Sequence, residues 1–402
     1  MKLLIVSQWF PCPPVNGGRQ RVYHLLRGLV ERHDIHLLSF TQDPSDMEHV
    51  HELGELCGDV VVVKGNDFKP TAGNAVRALF SMRPRSSIDC WSKTMAEMVE
   101  DQLNTHSFDA AIAFTTRAGE YLMHAKLPKI LDNDNVDTAY FARLIGQGGS
   151  PLAKFRRKLT WVKVARHEQR LVAAFDAVTA VSEEDRRELA KLLPAKNNCR
   201  ALHVVPNGVD LGLMDYKTPD FDPKRIISTG ALTYHANYDA AVFFCERILP
   251  GIKKAIPDAG FVITGGHKGM DISPFTAAGA ALTGFLDDIR PLVAGSAVLV
   301  VPLRIGGGTR LKILEAMALG TPVVATTLGA AGIGVRHGET ALIADDPDEF
   351  ADCVIQLMKD SELRAELTKN AREHVAARFG WDRSAEAMEY ALKSITGQGR
   401  ER

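Results

Sequence analysis

The same order of strand, glycine- or proline-containing loop, helix and strand occurs twice along the chain. It begins at Leu3 to Val6 and again at Ile226 to Ser228, and each apolar run precedes a segment of helical length. Short Val- and Ile-rich runs that alternate with amphipathic helices are typical of a parallel sheet covered on both faces. The repetition therefore predicts an α/β protein with two Rossmann-like domains.

Length and charge agree with this prediction and exclude several classes of protein. A chain of 402 residues fits two domains of roughly 100–200 residues each. The 48 basic and 49 acidic residues give a formal net charge of -1, so we expect no nucleic-acid partner. The six cysteines form no C-x-x-C pair and the apolar runs are too short to cross a bilayer, which favours a cytoplasmic location.

Turn residues indicate where the two domains separate. Pro206 opens a polar stretch that extends to Lys224, and we predict the linker there. The predicted domains cover residues 1–205 and 206–378, and the remaining residues, 379–402, contain a helix from Trp381 to about Ile395. Because this helix follows the last strand of the second domain, we expect it to cross back onto the first lobe.

The segment from Ala297 to Thr327 carries the strongest functional signal. It is predicted to form a strand, a glycine loop, a helix from Arg310 to Leu319 that Thr309 caps, and a second strand. Consecutive glycines let backbone N–H groups converge on an anion at a helix N-terminus, where the macrodipole also favours negative charge. The glycines of this loop are Gly306, Gly307 and Gly308.

Charged residues in the first turn of that helix point to the same anion. Arg310 and Lys312 are disfavoured there by ~0.3–1 kcal/mol unless a negative group is close. Glu315 lies three residues after Lys312, on the same side of the helix, where a carboxylate can accept hydrogen bonds from ribose hydroxyls. The alternative is a tight glycine turn beside a surface ion pair of Lys312 and Glu315.

The run LKILEAMALGTPVVAT, followed by GAAGI, resembles the carboxy-terminal signature of the family 4 glycosyltransferases, which have the GT-B fold. Shorter matches occur in the family's order along essentially the whole chain. They are Gly17–Gly18–Arg19, Ala180–Val181–Ser182–Glu183, Val205–Pro206–Asn207–Gly208, and Ser228–Thr229–Gly230 with Asn237–Tyr238–Asp239.

This resemblance implies a retaining glycosyltransferase of the hexosyltransferase type that needs no metal and no cofactor. A nucleotide-diphosphate sugar would be the donor and would bind mainly to the second lobe. The acceptor, a glycan or a lipid-linked sugar, would bind to the first lobe, with the chemistry in the cleft between the lobes. A branch of the family found in exopolysaccharide gene clusters is the most similar, so we expect a role in cell-surface polysaccharide synthesis.

The resemblance also assigns residues to the donor. Lys312, Arg310 and the loop from Gly306 to Thr309 would contact the diphosphate, and Glu315 would bind the ribose. Gly230 belongs to a second glycine loop, expected beside the phosphates. The base is expected near Phe285 and Arg290, and Gly17, Gly18 and Arg19 would form a loop that closes over the phosphates.

Two departures from the family pattern affect the donor site. Many members carry a glutamate eight residues before the position of Glu315, but this chain has Gly307 there, so a common contact to the donor sugar is absent. The Arg/Lys pair that often follows Gly230 is also replaced, by Ala231 to His235. Arg310 is the residue expected to supply the missing positive charge.

An acidic stretch, Asp132 to Asn135, follows the apolar pair Ile130–Leu131. Related enzymes carry a His or Asp facing the transferred sugar at this place, and we predict that Asp134 has that role. The alternative is an Asp-x-Asp metal motif, in which two carboxylates hold a divalent cation under the diphosphate.

Residues 150–171 contain seven basic side chains and one acidic side chain, interleaved with Leu, Phe, Trp and Val. The segment fits an interfacial helix that holds the enzyme at anionic lipid, near a lipid-linked acceptor. A helix with one buried face and one solvated basic face fits equally well.

Two other functions use the same fold and donor. A nucleotide-sugar 2-epimerase would act on the donor without an acceptor. A catalytically silent nucleotide-sugar binding protein is the second alternative, because the usual glutamate is replaced by Gly307.

Overall fold

A computed structural model of the chain describes residues 1–41, 43–66, 73, 78, 80–146, 150–193, 201–217 and 220–397. The chain divides into two compact units, of which the first comprises Met1–Asn207 with Trp381–Arg402 and the second comprises Gly208–Gly380. The two boundaries, after Asn207 and after Gly380, each lie two residues later than the predicted ones, which were after residues 205 and 378. Each unit contains its own parallel sheet.

In its described part, the first unit has a seven-stranded sheet with the order β3-β2-β1-β4-β5-β6-β7. All neighbouring strands pair in parallel, as the βαβ pattern predicts. The strands are β1 (Lys2–Ser7), β2 (Asp34–Thr41), β3 (Asp59–Lys64), β4 (Ala110–Phe114), β5 (Lys129–Asn133), β6 (Ala177–Ala180) and β7 (Ala201–Val204).

Helices cover both faces of this sheet. Alternate residues of β1 enter two separate apolar cores, Leu3 and Ile5 on one face and Leu4 and Val6 on the other, and all four are fully buried. The helices are α1 (Gly17–Val30), α2 (Val50–Cys57), α3 (Arg85–Asp89), α4 (Lys93–Thr105), α5 (Thr116–Leu122), α6 (Asp137–Ile145), α7 (Pro151–Ala174) and α8 (Glu183–Ala190), with a 3₁₀ turn at Pro44–His49.

The last helix of the chain, which we number α16 (Trp381–Thr396), packs against α1 within the first unit. A side chain at Gly28 would lie 2.3 Å from Cβ of Ala385, so glycine permits the close approach of the two helices. His33 Nε2 lies 2.5 Å from Oε2 of Glu389, and both side chains are nearly buried.

The described part of the second unit has a six-stranded sheet with the order β10-β9-β8-β11-β12-β13, again with parallel pairing. Its strands are β8 (Asp222–Thr229), β9 (Gly260–Thr264), β10 (Ala281–Gly284), β11 (Ser296–Val301), β12 (Val323–Ala325) and β13 (Leu342–Ile343). Strand β11 is buried along its whole length, as expected for a central parallel strand.

The helices of the second unit are α9 (His235–Phe243), α10 (Leu249–Ala255), α11 (Ser273–Ala277), α12 (Arg290–Ala294), α13 (Leu311–Leu319), α14 (Pro347–Lys359) and α15 (Ser361–Arg378). Helix α9 begins at His235, and a π turn at Phe244–Ile248 joins it to α10. Pro250, which has no N–H to donate, follows that turn, so the regular helical hydrogen bonds cannot continue through it.

Candidate functional site

Two glycines shape the carboxyl edge of the second sheet, directly after β8 and β9. Gly230 and Gly265 have φ of +118° and +113°, which L side chains rarely adopt. A Cβ at Gly265 would lie 2.6 Å from the carbonyl carbon of Gly230. A Cβ at Gly230 would lie 3.0 Å from Nζ of Lys312. Because neither glycine has a side chain, the ends of β8 and β9 and the Lys312 ammonium can lie close together.

Lys312 projects from the first turn of α13 to the end of β8. Its Nζ donates to the carbonyl oxygen of Thr229 and, at 3.0 Å, to Oδ1 of Asn237. Asn237 is itself held by the bond from its Nδ2 to the carbonyl oxygen of Ala231, at 3.0 Å. Among the described residues, Lys312 forms no ion pair, and both of these hydrogen bonds go to neutral oxygens.

Burial, and then the nearby charge of Arg310, lower the pKa of Lys312 to about 8, while the charge of Glu315 acts in the opposite sense. A desolvated ammonium with neutral partners is stabilised by an anion more strongly than an exposed lysine is. Sequence reasoning did not single out Asn237 for this position. The only signal was its place at the start of a helix, after the Gly230 turn.

The glycine loop differs in one respect from the prediction. Helix α13 begins at Leu311, with Arg310 at the N-cap position, so Thr309 as N-cap is wrong. The Arg310 guanidinium turns back and donates to the carbonyl oxygens of Gly307 and Gly308. Gly306 and Gly308 have φ of +134° and +71°, and this curl of the chain delays the helix by one residue. In the described part of the chain, the buried Thr309 hydroxyl has no hydrogen-bond partner.

The remaining residues predicted for the donor follow strands of the same sheet. Because all its strands are parallel, the segments after β8, β9, β10 and β11 lie at one edge. Phe285 follows β10 and is 62 % exposed. Arg290 forms an ion pair with Asp288 at 2.8 Å, and its guanidinium lies 5.5 Å from the centre of the Tyr216 ring. Glu315 is half-buried on α13.

In the first unit, Gly17 and Gly18 form the first turn of α1 rather than a loop, and Asn16 caps that turn by accepting from the N–H of Arg19. A Cβ at Gly18 would lie 2.6 Å from Nε1 of Trp9. The Arg19 guanidinium donates to both carboxylate oxygens of Asp46, at 2.7 and 3.0 Å. Arg19 is therefore fixed to a buried carboxylate.

Asp134 follows the last residue of β5 and is half-buried. Burial, and then the charge of Asp132, raise its pKa to about 6. Burial and the neighbouring carboxylate of Glu168 also raise the pKa of Asp137 to about 6. The Glu168 carboxylate accepts from the N–H groups of Asp137 and Thr138, at 3.1 and 2.8 Å, at the start of α6. Sequence reasoning missed Glu168, which lies far from this segment in the chain.

Two clusters among the described residues have donor atoms close enough for a metal ion, namely Cys12 with His49 and Glu52, and His36 with Asp59 and His106. His36 and Asp59 lie at the amino ends of β2 and β3, away from the carboxyl edge of the sheet. Burial and the hydrogen bond to Glu52 raise the pKa of Cys12 to about 12, which favours the thiol over the metal-binding thiolate.

In the described part of the chain, the helices are too short or too polar to cross a bilayer. Helix α7 contains most of the basic segment. Its first half exposes Leu152 and Phe155, with 67 % and 65 % of their surface accessible. Lys163, in its second half, is buried and donates to the carbonyl oxygen of Ala78.

Comparison with known proteins gives the same family for both units. Residues 15–213 match the profile of "Glycosyltransferase Family 4", and residues 223–360 match "Glycosyl transferases group 1". A relative from Klebsiella pneumoniae, described as an uncharacterized 44.6 kDa protein in the cps region, is 21% identical over 92% of this chain and 94% of its own.

Solved structures of similar fold extend over almost the whole chain. Sucrose-phosphate synthase from Thermosynechococcus elongatus matches with a TM-score of 0.74 and 15% identity, over 99% of this chain and 100% of that one. Anabaena HepE in complex with UDP matches with a TM-score of 0.68 and 16% identity, over 98% and 100%. Together with the two family matches, this places the chain in the group 1, family 4 glycosyltransferases, with their GT-B fold.

Proposed function

We propose that the protein transfers a sugar, with retention and without a metal ion, from a nucleotide-diphosphate sugar to a glycan or lipid-linked acceptor of a cell-surface polysaccharide. The observation that carries this proposal is the Lys312 ammonium, held between Thr229 and Asn237 at the start of α13. It lies beside two sharp glycine turns, where N–H groups and positive charge can meet a diphosphate.

The donor's diphosphate is proposed to lie along the loop from Gly306 to Thr309, within reach of Lys312. Transfer breaks the bond between the anomeric carbon and the diphosphate, so negative charge grows on the leaving oxygen. A buried ammonium and a helix N-terminus that are already in place stabilise this charge more in the transition state than in the bound donor. Arg310 adds positive charge to the same loop, while its guanidinium holds the loop carbonyls.

Glu315 is proposed to accept hydrogen bonds from the ribose, and the segment from Phe285 to Arg290 to contact the base. Both lie at the sheet edge that carries Lys312. HepE has been solved with UDP and with UDP-glucose, which supports a nucleotide sugar as the donor. Asp134 is proposed to face the transferred sugar from the first unit.

Sugar transfer without a metal ion is supported by the position of Asp132, the first carboxylate of the Asp-x-Asp sequence. Both its oxygens accept hydrogen bonds from the buried Arg21, so this carboxylate already has its counter-ion. In the second unit, Lys312 can supply the positive charge that a metal cation would otherwise bring to the diphosphate.

The decisive experiment incubates the purified protein with a panel of nucleotide sugars and measures which nucleoside diphosphate is released, with and without a chelator. Release from one donor, undiminished by chelator, supports the proposal. Epimerised free donor would identify a 2-epimerase instead. Nucleotide binding without transfer or hydrolysis would identify a silent binding protein.

A role in polysaccharide synthesis is supported by the Klebsiella relative, whose name places it in a cps region. We also propose that the exposed first half of α7 contacts anionic lipid at the inner membrane face. There, Leu152 and Phe155 are interleaved with exposed basic residues, namely Lys154, Arg156 and Lys158. Lys163 has no part in this contact, because it is buried.

Sedimentation with vesicles tests the membrane proposal. We expect binding to vesicles that contain phosphatidylglycerol, and loss of that binding when Lys154, Arg156 and Lys158 are all changed to Gln. Changing the exposed Arg170 to Gln is the control, because it lies at the other end of α7. Equal sedimentation of all three proteins would contradict the lipid contact.

A further inference from the structure

A cavity that is open to solvent lies in the first unit where the sheet order reverses. Strands β1 and β4 are neighbours, and the chain proceeds from β1 outward to β2 and from β4 to β5 on the other side. In open parallel sheets, ligands bind outside the carboxyl ends of the strands at this switch point. Residues that follow these two strands line the cavity, namely Gln8, Arg117, Glu120 and Tyr121.

Aromatic rings form one wall of this switch-point cavity. The Trp91 and Tyr121 rings stack with centroids 4.6 Å apart and planes 16° apart. Phe40 packs against Tyr121 at 5.7 Å. The Tyr121 hydroxyl accepts from the N–H of Ser92 at 2.9 Å. This hydrogen bond and the two ring contacts together fix the orientation of Tyr121. A rigid apolar wall beside polar groups suits a sugar ring, which has apolar C–H faces and polar edges.

The negative charge of the cavity is already neutralised. Glu120 is buried, and its two oxygens contact Nη2 of Arg83 at 2.5 Å and Nε2 of His167 at 3.1 Å. The Arg83 guanidinium also lies 5.2 Å from the centre of the Trp91 ring, which fixes the pair against the aromatic wall. Glu120 therefore holds the residues of the cavity wall in place, and its negative charge is balanced by these contacts.

Arg117 supplies positive charge to the cavity, and it also lies near enough to the Asp137 carboxylate to act on that group's pKa, in the lowering direction. Within the described ranges, Arg117 forms no ion pair and no hydrogen bond, although it is half-buried. The Oε1 of Gln8 accepts from the Thr115 hydroxyl at 2.8 Å, which leaves the amide N–H groups of Gln8 as donors. A guanidinium and an amide donor that line the same cavity can both donate to an anionic group.

The backbone that presents Arg117 is strained. Thr115 links β4 to α5 with φ of +86°, and within the described residues it is the one non-glycine with positive φ. For a β-branched residue this conformation is a genuine outlier, and such strain clusters at ligand-binding sites. Here it turns the chain so that Thr115 meets Gln8 while Arg117, two residues later, lines the cavity.

We propose that the switch-point cavity binds a sugar ring that carries a negatively charged group, and that Arg117 and Gln8 bind the charge while Trp91 and Tyr121 contact the ring. The inference rests on the proposed function in one respect: this sugar would be the terminal residue of the acceptor. Carboxylate and phosphate groups share the required chemistry, and the experiment distinguishes them.

Direct binding tests the proposal without any transfer reaction. The probes are methyl α-D-glucoside, methyl D-glucuronide, its neutral methyl ester and glucose 6-phosphate, each titrated by calorimetry or ligand-observed NMR. We expect at least one anionic sugar to bind ten times or more tighter than the glucoside and the ester. Glucuronide or glucose 6-phosphate as the tighter ligand identifies the charged group.

Arg117→Gln should remove this preference, and Arg117→Lys should restore part of it. Arg170→Gln, an exposed change on α7, and Lys312→Ala, in the second unit, should both retain it. Equal affinity for charged and neutral sugars, no binding of any probe, or a preference that survives Arg117→Gln would overturn the inference. The neutral ester tests the charge on the wild-type protein, so the result does not depend on whether a variant folds.

The outcome is separable from that of the proposed function. If no nucleoside diphosphate is released from any donor while the glucuronide preference remains, the transfer activity fails and the anionic sugar site stands. If transfer occurs and the wild-type protein shows no preference for charged sugars, the transfer activity stands and the anionic sugar site fails.

Discussion

Arg21 donates from Nε and Nη2 to the two carboxylate oxygens of Asp132, at 2.7 and 2.6 Å, with both side chains almost completely buried. Arg21 also donates to the carbonyl oxygen of Val205 at 3.0 Å and to Oδ1 of Asn207 at 2.8 Å. Helix α1, the end of β5 and the last residues before the second unit are joined by this one guanidinium. The ion pair is therefore structural.

We expect Asp132→Asn to destabilise the first unit by about 3–5 kcal/mol, because it leaves the Arg21 charge buried without its partner. Urea unfolding followed by circular dichroism measures the loss. The matched control is Glu97→Gln, which breaks an exposed ion pair to Lys93 and should cost less than about 1 kcal/mol. Equal stability of the two variants would show that the buried pair contributes no more than the exposed one.

Lys312→Met should reduce transfer by about 100-fold or more, since removing one donor aimed at a developing negative charge typically has that effect. The variant should nevertheless fold, with a Tm within about 3 °C of wild type or above it, because it also removes a buried charge. Steady-state kinetics and a thermal melt measure the two effects. Lys254→Met, an exposed change on α10, should alter neither.

A Lys312→Met protein that melts far below wild type would instead assign Lys312 a structural role. A protein that folds and transfers sugar at the normal rate would remove the main support for the proposed donor site.

Much of the fold was predictable from the sequence, because the strands and helices of βαβ units produce apolar runs that are local in the chain. Ser182 is of a residue type that favours N-cap positions, and it caps α8 by accepting from the N–H of Asp185. The predicted end of α13 at Leu319 is confirmed, and Gly320 follows it with a left-handed φ of +87°. These features depend on neighbours in the chain, which a sequence displays directly.

The candidate site was harder to predict where its partners are distant in the chain. Lys312 was singled out because the helix N-terminus disfavours it, but its partners Thr229 and Asn237 belong to another βαβ element. Thr309 was the natural N-cap by residue type, yet the long Arg310 side chain folds onto the loop carbonyls and moves the helix start. No local pattern encodes such a return contact.

The protein should take up protons when it binds a nucleoside diphosphate at pH 8 to 9. Lys312 has a pKa of about 8 in the free protein, so part of the population is neutral there, and a bound diphosphate raises that pKa. Affinity should therefore fall as the pH rises above 8. Calorimetry at pH 8.5 in two buffers of different ionisation enthalpy measures the uptake, with the nucleoside diphosphate that the donor panel identifies.

Lys312→Arg is the control for proton uptake, because a guanidinium stays protonated at pH 8.5. The variant should bind without taking up protons. If it takes up as many protons as wild type, another group is responsible for the pH dependence.

Asp134 and Asp137 provide a matched pair for testing which carboxylate acts on the sugar. Burial raises the pKa of each to about 6, above the 3.8 expected in the unfolded chain. The folded protein thus binds more protons than the unfolded chain between about pH 4 and 6, and stability falls as pH rises through that window. Replacing either residue by Asn removes its share of this slope, so neither variant should be less stable at pH 7 by more than about 1 kcal/mol.

Their effects on transfer should differ. The Asp137 carboxylate accepts from Thr116 and Asn135, at 3.2 and 3.3 Å. Within the described residues, Asp134 forms no hydrogen bond to another side chain. Asp134→Asn should therefore lower kcat by about tenfold or more and leave nucleoside diphosphate affinity unchanged, while Asp137→Asn should retain most of the activity. If Asp137→Asn is the variant that loses kcat, the residue facing the sugar has been assigned to the wrong carboxylate.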